Sequence, residues 1–473
     1  MALASPPSLS QDKAGNALPP IAQELSQLDW LNRETVAERP VSYWDASPLR
    51  AAAMVRPRTT EEVSMVLDAC SRLGQSVILH GGRTNCVDSS RAAVDQVILS
   101  LEKMDRIVEI DPVGGIAVVE AGVILQALQE ELRGHGLFLP LDIGARGSCT
   151  IGGNIATNAG GVNVLRYGMM RNLILGLEVV LADGTVLSSM NRMLKNNSGY
   201  DLKQLFIGTE GTLGVITKAV VRLEPVIART GTILLAVPGF DGVTALLQSA
   251  RRMLGSALQA FELMWGSYYD ALTGPDGHSP PMERGSPYYV LVETALPASD
   301  ETMLDDFLTS ALEDGLVTDG VVAQSEAQRA RIWKVRDDFD AILRSGDTYL
   351  FDVSLPIAHM HDYVDRVRDA CHAVLPDAIV HVFGHIGDGN LHLFVTPRPG
   401  GTASKTDRKA VDECVYAPLG RYGGAISAEH GIGREKRDYL PISRTDAEID
   451  LMRRMKRLLD PDLILNPGLV VKT

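Results

Sequence analysis

The sequence predicts an α+β fold with more than one domain. At 473 residues the chain is too long for one ordinary core, since single domains usually hold about 100 to 150 residues. From about Met54 short strand-like runs alternate with helix-like runs, and after Pro225 longer helical runs are separated by short strands. These two textures favour a β-rich first domain followed by a second domain with more helix.

The first domain carries clear local signals. Thr60 to Leu73 has the apolar spacing of an amphipathic helix with Thr60 as its N-cap, and Ser76 to Leu79 is typical of a strand. Residues Gly176 to Leu187 predict a β-hairpin, because an apolar run is followed by Asp183-Gly184 and then by a second β-rich run.

The composition excludes several classes of protein. Hydrophobic residues make up 45% and charged residues 22% of the chain, which is incompatible with global disorder. The net charge of −14, without a basic block, argues against a nucleic-acid partner. The five cysteines form no CxxC pair, so neither a disulfide framework nor a thiolate metal site is indicated. Without an apolar run of about 18 residues or a signal-peptide pattern, we expect no transmembrane segment and a cytoplasmic protein.

Two glycine-rich segments could bring the backbone close to a ligand. The segment HGGRTN, His80 to Asn85, follows a strand-like run and could present N–H groups to a phosphate, although a glycine pair after a strand is more often just a tight turn. In GSCTIGGNIATNAGG, Gly147 to Gly161, small residues leave room for a ligand, while Ile151 and Ile155 fit a flexible linker badly. A third cluster, GTEGTLG from Gly208 to Gly214, runs into a strand-like segment.

Neither GxGxxG after a strand nor a P-loop pattern occurs, so another phosphate-binding scheme is needed. With these segments the chain, from about Arg56 to Gly468, resembles the vanillyl-alcohol-oxidase-type FAD-binding proteins. It resembles in particular their D-2-hydroxy acid dehydrogenase branch, which includes D-lactate dehydrogenase, the glycolate oxidase flavin subunit and D-2-hydroxyglutarate dehydrogenase. The resemblance implies a two-part FAD-binding domain, an α+β substrate domain and a C-terminal return to the flavin.

On this basis we divide the chain into four parts. They are a lead-in at 1–50, loosely ordered from Met1 to about Pro20; a FAD-binding domain at 51–225; a substrate domain with a metal site at 226–430; and a C-terminal segment at 431–473 that returns to the FAD domain.

The resemblance also implies which residues bind FAD. Those expected along the cofactor are Gly81, Gly82, Arg83, Thr84, Gly147, Ser148, Gly152, Gly153, Asn154, Ala156, Thr157, Asn158, Ala159, Gly160, Gly214 and Ile216. Asn85 stands where the family usually has a glycine, and we expect it to keep the loop by adopting the left-handed conformation. Arg83 stands where covalently flavinylated relatives carry a histidine, so we expect non-covalent FAD.

Histidines near the C-terminal end form a candidate metal site. In GHIGDGNLH the turn between His385 and His392 would let two flanking strands bring both imidazoles to one side, and Glu429 stands beside His430 in SAEHGIG. Two histidines and a carboxylate suit a divalent ion such as zinc, although ordinary structural histidines would also explain the pattern. The resemblance implies that His385, His392 and Glu429 are the metal ligands and that His430 is the catalytic base.

Two further residues complete the expected site. Arg336 is our candidate for binding the substrate carboxylate, because a guanidinium pairs with it through two hydrogen bonds. It lies on a helix opened by a capping box from Ser325 to Gln328, with an apolar stripe that continues to Phe339 and Ile342. By resemblance Asn466 lies near the flavin ring, although a simple turn after a helix would account for it as well.

The expected activity is the oxidation of a small D-2-hydroxy acid, with electrons passed to a quinone or an electron-transfer flavoprotein; a homodimer is compatible with the sequence. Two alternatives stay open: a metal-dependent hydrolase using the histidine cluster, and a flavin carrier without turnover.

Relatives that oxidise 2-hydroxyglutarate usually have Thr, Lys and Asn where this chain has Asp340, the run Tyr349 to Phe351, and Phe394. We therefore expect a monocarboxylic substrate, with D-2-hydroxyglutarate as the alternative.

Overall fold

The computed structural model describes residues 18–275, 277–296 and 302–473, and it confirms the α+β class. The loosely ordered lead-in was predicted almost entirely for residues outside the described ranges. The first sheet has four strands in the order β1-β2-β4-β3. The elements of this part are α1 (Pro20–Glu24), β1 (Trp30–Asn32), α2 (Arg33–Ala37), β2 (Ala53–Val55), α3 (Thr60–Leu73), β3 (Val77–His80) and β4 (Val97–Ser100).

This first sheet begins before residue 51, where we expected the domain to start. Strand β1 pairs antiparallel with β2, while β2 and β3 pair parallel with the central β4. Helix α3 forms as predicted, but the N-cap prediction is wrong. Thr59 is the N-cap and accepts the Glu62 N–H at 3.2 Å, while the Thr60 hydroxyl donates to Glu178 at 2.5 Å.

A second sheet of five strands, in the order β5-β6-β10-β8-β9, completes the first half. Antiparallel pairing of β8 with β9 confirms the predicted hairpin. The elements are β5 (Ile107–Asp111), β6 (Ile116–Glu120), α4 (Leu125–Arg133), β7 (Leu137–Phe138), α5 (Ile151–Ala156), α6 (Val164–Tyr167), α7 (Met170–Leu173), β8 (Ile174–Val180), β9 (Val186–Ser189), β10 (Val215–Arg222) and β11 (Glu224–Pro225).

The second half is built on a seven-stranded antiparallel sheet with the order β15-β12-β14-β13-β17-β18-β16. The elements are β12 (Thr230–Val237), α8 (Phe240–Leu254), β13 (Leu258–Trp265), α9 (Gly266–Leu272), β14 (Tyr288–Ala295), α10 (Met303–Glu313), β15 (Asp319–Val322), α11 (Glu326–Asp337), α12 (Asp340–Leu343), β16 (Tyr349–Ser354), α13 (Met360–Val374), β17 (Ile379–Gly384), β18 (Asn390–Thr396), α14 (Lys405–Tyr416) and α15 (Asp446–Leu459).

Helices cover both faces of this sheet. Helices α8, α10, α13 and α14 pack with its apolar side chains on one face, and α9 and α11 pack on the other. Strands β12, β13 and β14 have 8 residues each, so the expectation of short strands in this half is wrong. Because both faces are covered, these strands are largely apolar and lack the alternation that marks a half-exposed strand.

Helix α11 is shorter than the sequence pattern indicates. Ser325 caps it by accepting the Gln328 N–H at 3.3 Å, but the Gln328 side chain accepts the N–H of Gln324, so the capping box is incomplete. The helix ends at Asp337, because Asp338 has left the helical region with φ −93° and ψ 79°. The expected stripe is therefore interrupted, and Phe339 precedes the separate helix α12.

After α15 the chain returns to the first sheet, as predicted. Leu465 forms a parallel bridge with Val77 of β3, and the Val77 N–H donates to Ile464 at 2.8 Å. Asn466 fixes this return, because its side chain accepts the Leu79 N–H at 2.8 Å and donates to the Glu210 carbonyl at 2.7 Å. Among the described residues, no helix combines the length and apolar character needed to cross a bilayer.

Candidate active site

A cavity of about 1820 Å³ has walls from both halves of the chain. It brings together nearly all the residues selected from the sequence. These are Gly81, Gly82, Arg83, Thr84, Gly147, Ser148, Gly152, Gly153, Asn154, Ala156, Thr157, Ala159, Gly160, Gly214, Ile216, Arg336, His385, His392, Glu429, His430 and Asn466.

Asn158 is the one residue of the expected set that does not line the cavity. It has a positive φ of 50°, and its side-chain oxygen accepts the Arg171 N–H at 2.9 Å. The side chain therefore holds the turn after α5 and is not directed at a cofactor.

The two glycine-rich segments contact each other directly. A Cβ atom at Gly82 would lie 2.1 Å from the Ser148 carbonyl oxygen, and one at Gly81 would lie 2.6 Å from the Thr150 hydroxyl. The cavity wall here is therefore main chain, which suits a long cofactor lying against the backbone. Nδ1 of His80, a residue of the same wall, is buried and has no hydrogen-bond partner among the described residues.

The loop of the first glycine-rich segment, His80 to Asn85, is not stabilised in the way that we expected. Arg83 (φ 55°) and Asp88 (φ 54°) occupy the left-handed region, whereas Asn85 does not. The Asn85 side chain instead accepts the Val87 N–H at 3.1 Å and stabilises a local turn. The compensation for the missing glycine is therefore a side-chain hydrogen bond.

The three expected metal ligands lie together. Strands β17 and β18 pair antiparallel and carry His385 and His392 to one place, with ring centroids 5.3 Å apart. Glu429 Oε2 lies 3.9 Å from His385 Nε2, and the possible ligand atoms of the three residues all lie within 4.8 Å of one another. This donor set suits a divalent ion that prefers nitrogen and oxygen ligands.

The first half of the chain contacts this cluster through the second glycine-rich segment. A Cβ atom at Gly160 would lie only 2.5 Å from Oε1 of Glu429. Glycine at this position therefore lets the second glycine-rich segment touch the carboxylate, so a ligand on that segment would lie beside the cluster.

Glu262, on β13, is a site residue that the sequence analysis missed. It is 1% exposed and accepts a hydrogen bond from Nδ1 of His385 at 2.8 Å. With its proton on Nδ1, His385 has its lone pair on Nε2, which faces Arg336 in this structure; such carboxylate partners are common for histidines that bind metals. A lone acid inside the apolar run QAFELMW was a usable signal, because a buried charge requires a partner.

Arg336 lies between this acid and the histidines. Its guanidinium donates to Glu262 at 2.9 Å, and Nη2 lies 3.1 Å from Nε2 of His385. Burial lowers the pKa of Arg336, but Glu262 outweighs this effect and raises it, so the side chain remains a cation. A fixed cation beside a metal-ligand set is suited to hold a substrate carboxylate next to the ion.

His430 lies on the other side of His392. The two rings are nearly parallel, with centroids 6.3 Å apart. Burial lowers the pKa of His430, but contact with Cys86 and the charge of Asp352 outweigh it and raise the pKa to about 9. A cation bound at the neighbouring ligands would favour the neutral imidazole that a base requires.

Part of the cavity wall near Arg336 is apolar. Phe339 and Phe394 meet edge to face with centroids 4.9 Å apart, and Leu350 lines the cavity beside them. Tyr349 and Phe351 point away from the cavity. The Tyr349 hydroxyl donates to the Ser404 carbonyl, and Phe351 packs in the hydrophobic core. Asp340 also lines the cavity.

A second arginine in this part of the cavity already has a partner. Arg329 donates twice to Glu293, at 2.9 Å each, and both residues line the wall. Sequence inspection did not identify this pair, because Glu293 and Arg329 are 36 positions apart.

Comparisons with known proteins assign a family to each half of the chain. Residues 51–189 match the family model described as FAD binding domain, and residues 229–470 match the model described as FAD linked oxidases, C-terminal domain. The gap between these ranges includes our boundary at residues 225 and 226, which stays a prediction.

Among similar chains is the D-2-hydroxyglutarate dehydrogenase, mitochondrial, of Bos taurus, 43% identical over 89% of this chain and 77% of that protein. The D-2-hydroxyglutarate dehydrogenase of Xanthomonas citri pv. viticola is 39% identical over 91% of this chain and 90% of that protein. The solved structure of a 4-ethylphenol oxidase from Gulosibacter chungangensis is similar in fold, with a TM-score of 0.71 at 19% identity over 95% of both chains.

Proposed function

Because this chain belongs to the FAD-linked oxidases, in their D-2-hydroxy acid dehydrogenase branch, we propose that it oxidises D-2-hydroxyglutarate to the corresponding 2-oxo acid. The observation that carries this proposal is that Arg336, His430 and the three-ligand cluster meet beside the glycine-rich wall of one cavity. Two relatives with 43% and 39% identity bear the name of this activity. The hydrolase and carrier alternatives are set aside, since an FAD-dependent dehydrogenase accounts for both halves of the chain.

The buried polar side chains Arg336, Glu262 and His430 each have a role in this reaction. Arg336 binds the carboxylate beside the reacting carbon, with Glu262 holding the guanidinium in place. His430 accepts the hydroxyl proton, a step that contributes roughly 10² to 10⁴-fold in comparable enzymes. FAD supplies the acceptor for the hydride removed from the substrate carbon.

We also propose a divalent metal, with zinc as the first candidate, at His385, His392 and Glu429. A bound ion would lower the pKa of the substrate hydroxyl. Support comes from the clustering of the three donors and from the hydrogen bond that orients His385 on Glu262.

FAD is expected to be held without a covalent bond. Arg83 follows the glycine pair, where a flavin-linked histidine would stand, and its side chain donates to the Pro40 carbonyl at 2.5 Å. Acid precipitation of the purified protein should release the yellow colour into the supernatant. Colour that stays in the pellet would contradict this prediction.

A second candidate substrate is a monocarboxylic D-2-hydroxy acid. The apolar wall of Phe339, Leu350 and Phe394 favours it, as does the partnering of Arg329 by Glu293. A second carboxylate would have to compete with Glu293 or remain unpaired, and an unpaired buried charge is costly. Asp340 adds a negative charge to the same wall.

Steady-state kinetics with an artificial electron acceptor test the two candidates. D-2-hydroxyglutarate, D-lactate and a larger apolar D-2-hydroxy acid are compared under the same conditions, with each L-enantiomer as the stereochemical control. The first proposal expects the highest kcat/KM for D-2-hydroxyglutarate. A higher kcat/KM for the apolar acid would instead support the second candidate, and no turnover of any 2-hydroxy acid would contradict both.

Three properties remain predictions. We expect the electron acceptor to be a quinone or an electron-transfer flavoprotein and the location to be cytoplasmic, and a homodimer is compatible with the sequence. The relative from Bos taurus is named as mitochondrial, so the location needs its own measurement.

A further inference from the structure

The segment from Ser427 to Gly433 carries Glu429 and His430 but belongs to neither a helix nor a strand. Backbone N–H groups in such a segment still need acceptors when they are removed from water. Most of those acceptors are the carboxylates of two buried acids from distant parts of the chain. The directions of the Glu429 and His430 side chains therefore depend on these two acids, which lie outside the segment.

The first of these acids is Asp352 on β16, which is fully buried. Its Oδ2 accepts the N–H groups of Ala428, Glu429 and His430 at 3.0, 2.8 and 2.9 Å. Its Oδ1 accepts the side-chain amide of Asn390 at 2.8 Å. One carboxylate thus holds the main chain of Glu429 and His430 against the strand pair that carries the two histidines.

The second acid is Glu210, from the glycine-rich cluster of the first half, which is 7% exposed. It accepts the N–H of Ile432 at 2.6 Å and that of Gly433 at 3.0 Å. The start of the segment, residues 428–430, is therefore fixed to the second half of the chain, and its end, residues 432 and 433, is fixed to the first half.

We propose that Asp352 is a positioning residue, which directs Glu429 and His430 into the cavity by holding three successive backbone N–H groups. Glu210 is the second anchor of the same segment. Asp352, His392 and His430 also lie close enough together to form a ligand set of their own. The oxygens of Asp352 are already engaged by the amide donors, however, so the residue acts through the backbone and not as a ligand.

Exchange of Asp352 for asparagine tests this role. The side chain keeps its size, but its single oxygen lacks the charge that strengthens hydrogen bonds to N–H groups. Its new amide would face the amide of Asn390, so two donors would meet. The ammonium of Lys436, 3.9 Å from Oδ2, would also lose its nearest negative charge.

The test compares Asp352→Asn with the parent, both loaded with FAD. Hydrogen exchange measured by mass spectrometry on peptides covering residues 427–433 should become at least about tenfold faster, because charge-assisted bonds are lost. The kcat per bound FAD, which rests on the proposed function, should fall at least about 30-fold, which is less than the roughly 10² to 10⁴-fold effect of general-base catalysis because the base is displaced and not removed. The isotope effect for substrate deuterated at the reacting carbon should rise, while the flavin spectrum is unchanged.

The matched control is Asp407→Asn. Asp407 is 4% exposed and binds Arg398 and the Ser404 N–H at the start of α14, away from the cavity. It should lose stability but keep its kcat within about threefold of the parent.

Three results would overturn the proposal: unchanged exchange at 427–433, kcat within about threefold of the parent, or a loss of kcat matched by Asp407→Asn. If Asp352→Asn does not fold, Glu210→Gln takes its place, with the same exchange and kinetic readouts applied to the second anchor. If the parent oxidises no 2-hydroxy acid, the proposed function fails, but the exchange measurement still decides whether Asp352 holds the segment.

Discussion

Replacement of His392 by alanine is expected to lower kcat at least about 1000-fold while FAD stays bound. The variant removes one of three clustered donors, and a metal contributes several kcal/mol of transition-state stabilisation, of which about 1.4 kcal/mol corresponds to a factor of ten. The glycine-rich wall for FAD belongs to the other half of the chain, so the flavin spectrum should not change. Steady-state kinetics of the purified variant measures kcat, metal analysis measures the bound ion, and absorbance measures the bound FAD.

His381→Ala is the matched control. His381 lies on β17, one strand away from His392, and is similarly buried, but it does not line the cavity. Burial lowers its pKa to about 4, so no buried charge is lost with it. Removal of the metal from the parent by a chelator should reproduce the His392→Ala phenotype. Full activity in His392→Ala without bound metal would refute the assigned ligand set.

Arg336→Lys is expected to lower kcat/KM roughly 100-fold or more, chiefly through a higher KM. Lysine keeps a positive charge near Glu262 but loses the planar fork that pairs with a carboxylate through two hydrogen bonds. Each hydrogen bond to a charged group contributes about 1.5 to 3 kcal/mol, and 1.4 kcal/mol corresponds to a factor of ten. The comparison is made with saturating acceptor and varied D-2-hydroxy acid.

Arg331→Lys tests whether any arginine on α11 would give this result. Arg331 lies on the exposed side of the same helix. Its exchange should leave both kinetic constants within about twofold, as is usual for surface positions. Equal losses in the two variants would show that helix stability and not carboxylate binding is affected.

Much of the FAD side of the site could be predicted because the relevant residues are contiguous. The segments His80 to Asn85 and Gly147 to Gly161 carry their information as runs of small residues, and nearly all of their selected members line the cavity. The pairing of His385 with His392 was also predictable, since only a short turn separates them.

The acids that hold the site could not be assigned in the same way. Glu262 is 123 positions from His385, and Glu210 is 222 positions from Ile432. A lone acid in an apolar run indicates that a partner exists, but the sequence does not say which residue it is. For Glu262 that information arises when β13 pairs with β17 in the second half, and for Glu210 only when both halves are folded against each other.

Local backbone geometry explains the remaining differences. The predicted stripe of α11 passed through Asp338, where the helix ends, so Phe339 reaches the cavity from a turn. Along β16 the side chains alternate between faces, which directs Leu350 and not its two neighbours to the cavity.

The contact between Gly160 and Glu429 bears on how the protein matures. The two imidazoles come from one hairpin and can approach each other as soon as that hairpin forms. The third donor reaches them only when the segment anchored by Asp352 and Glu210 has been fixed between both halves. Uptake of the proposed metal during biosynthesis is therefore expected to follow the docking of the two halves.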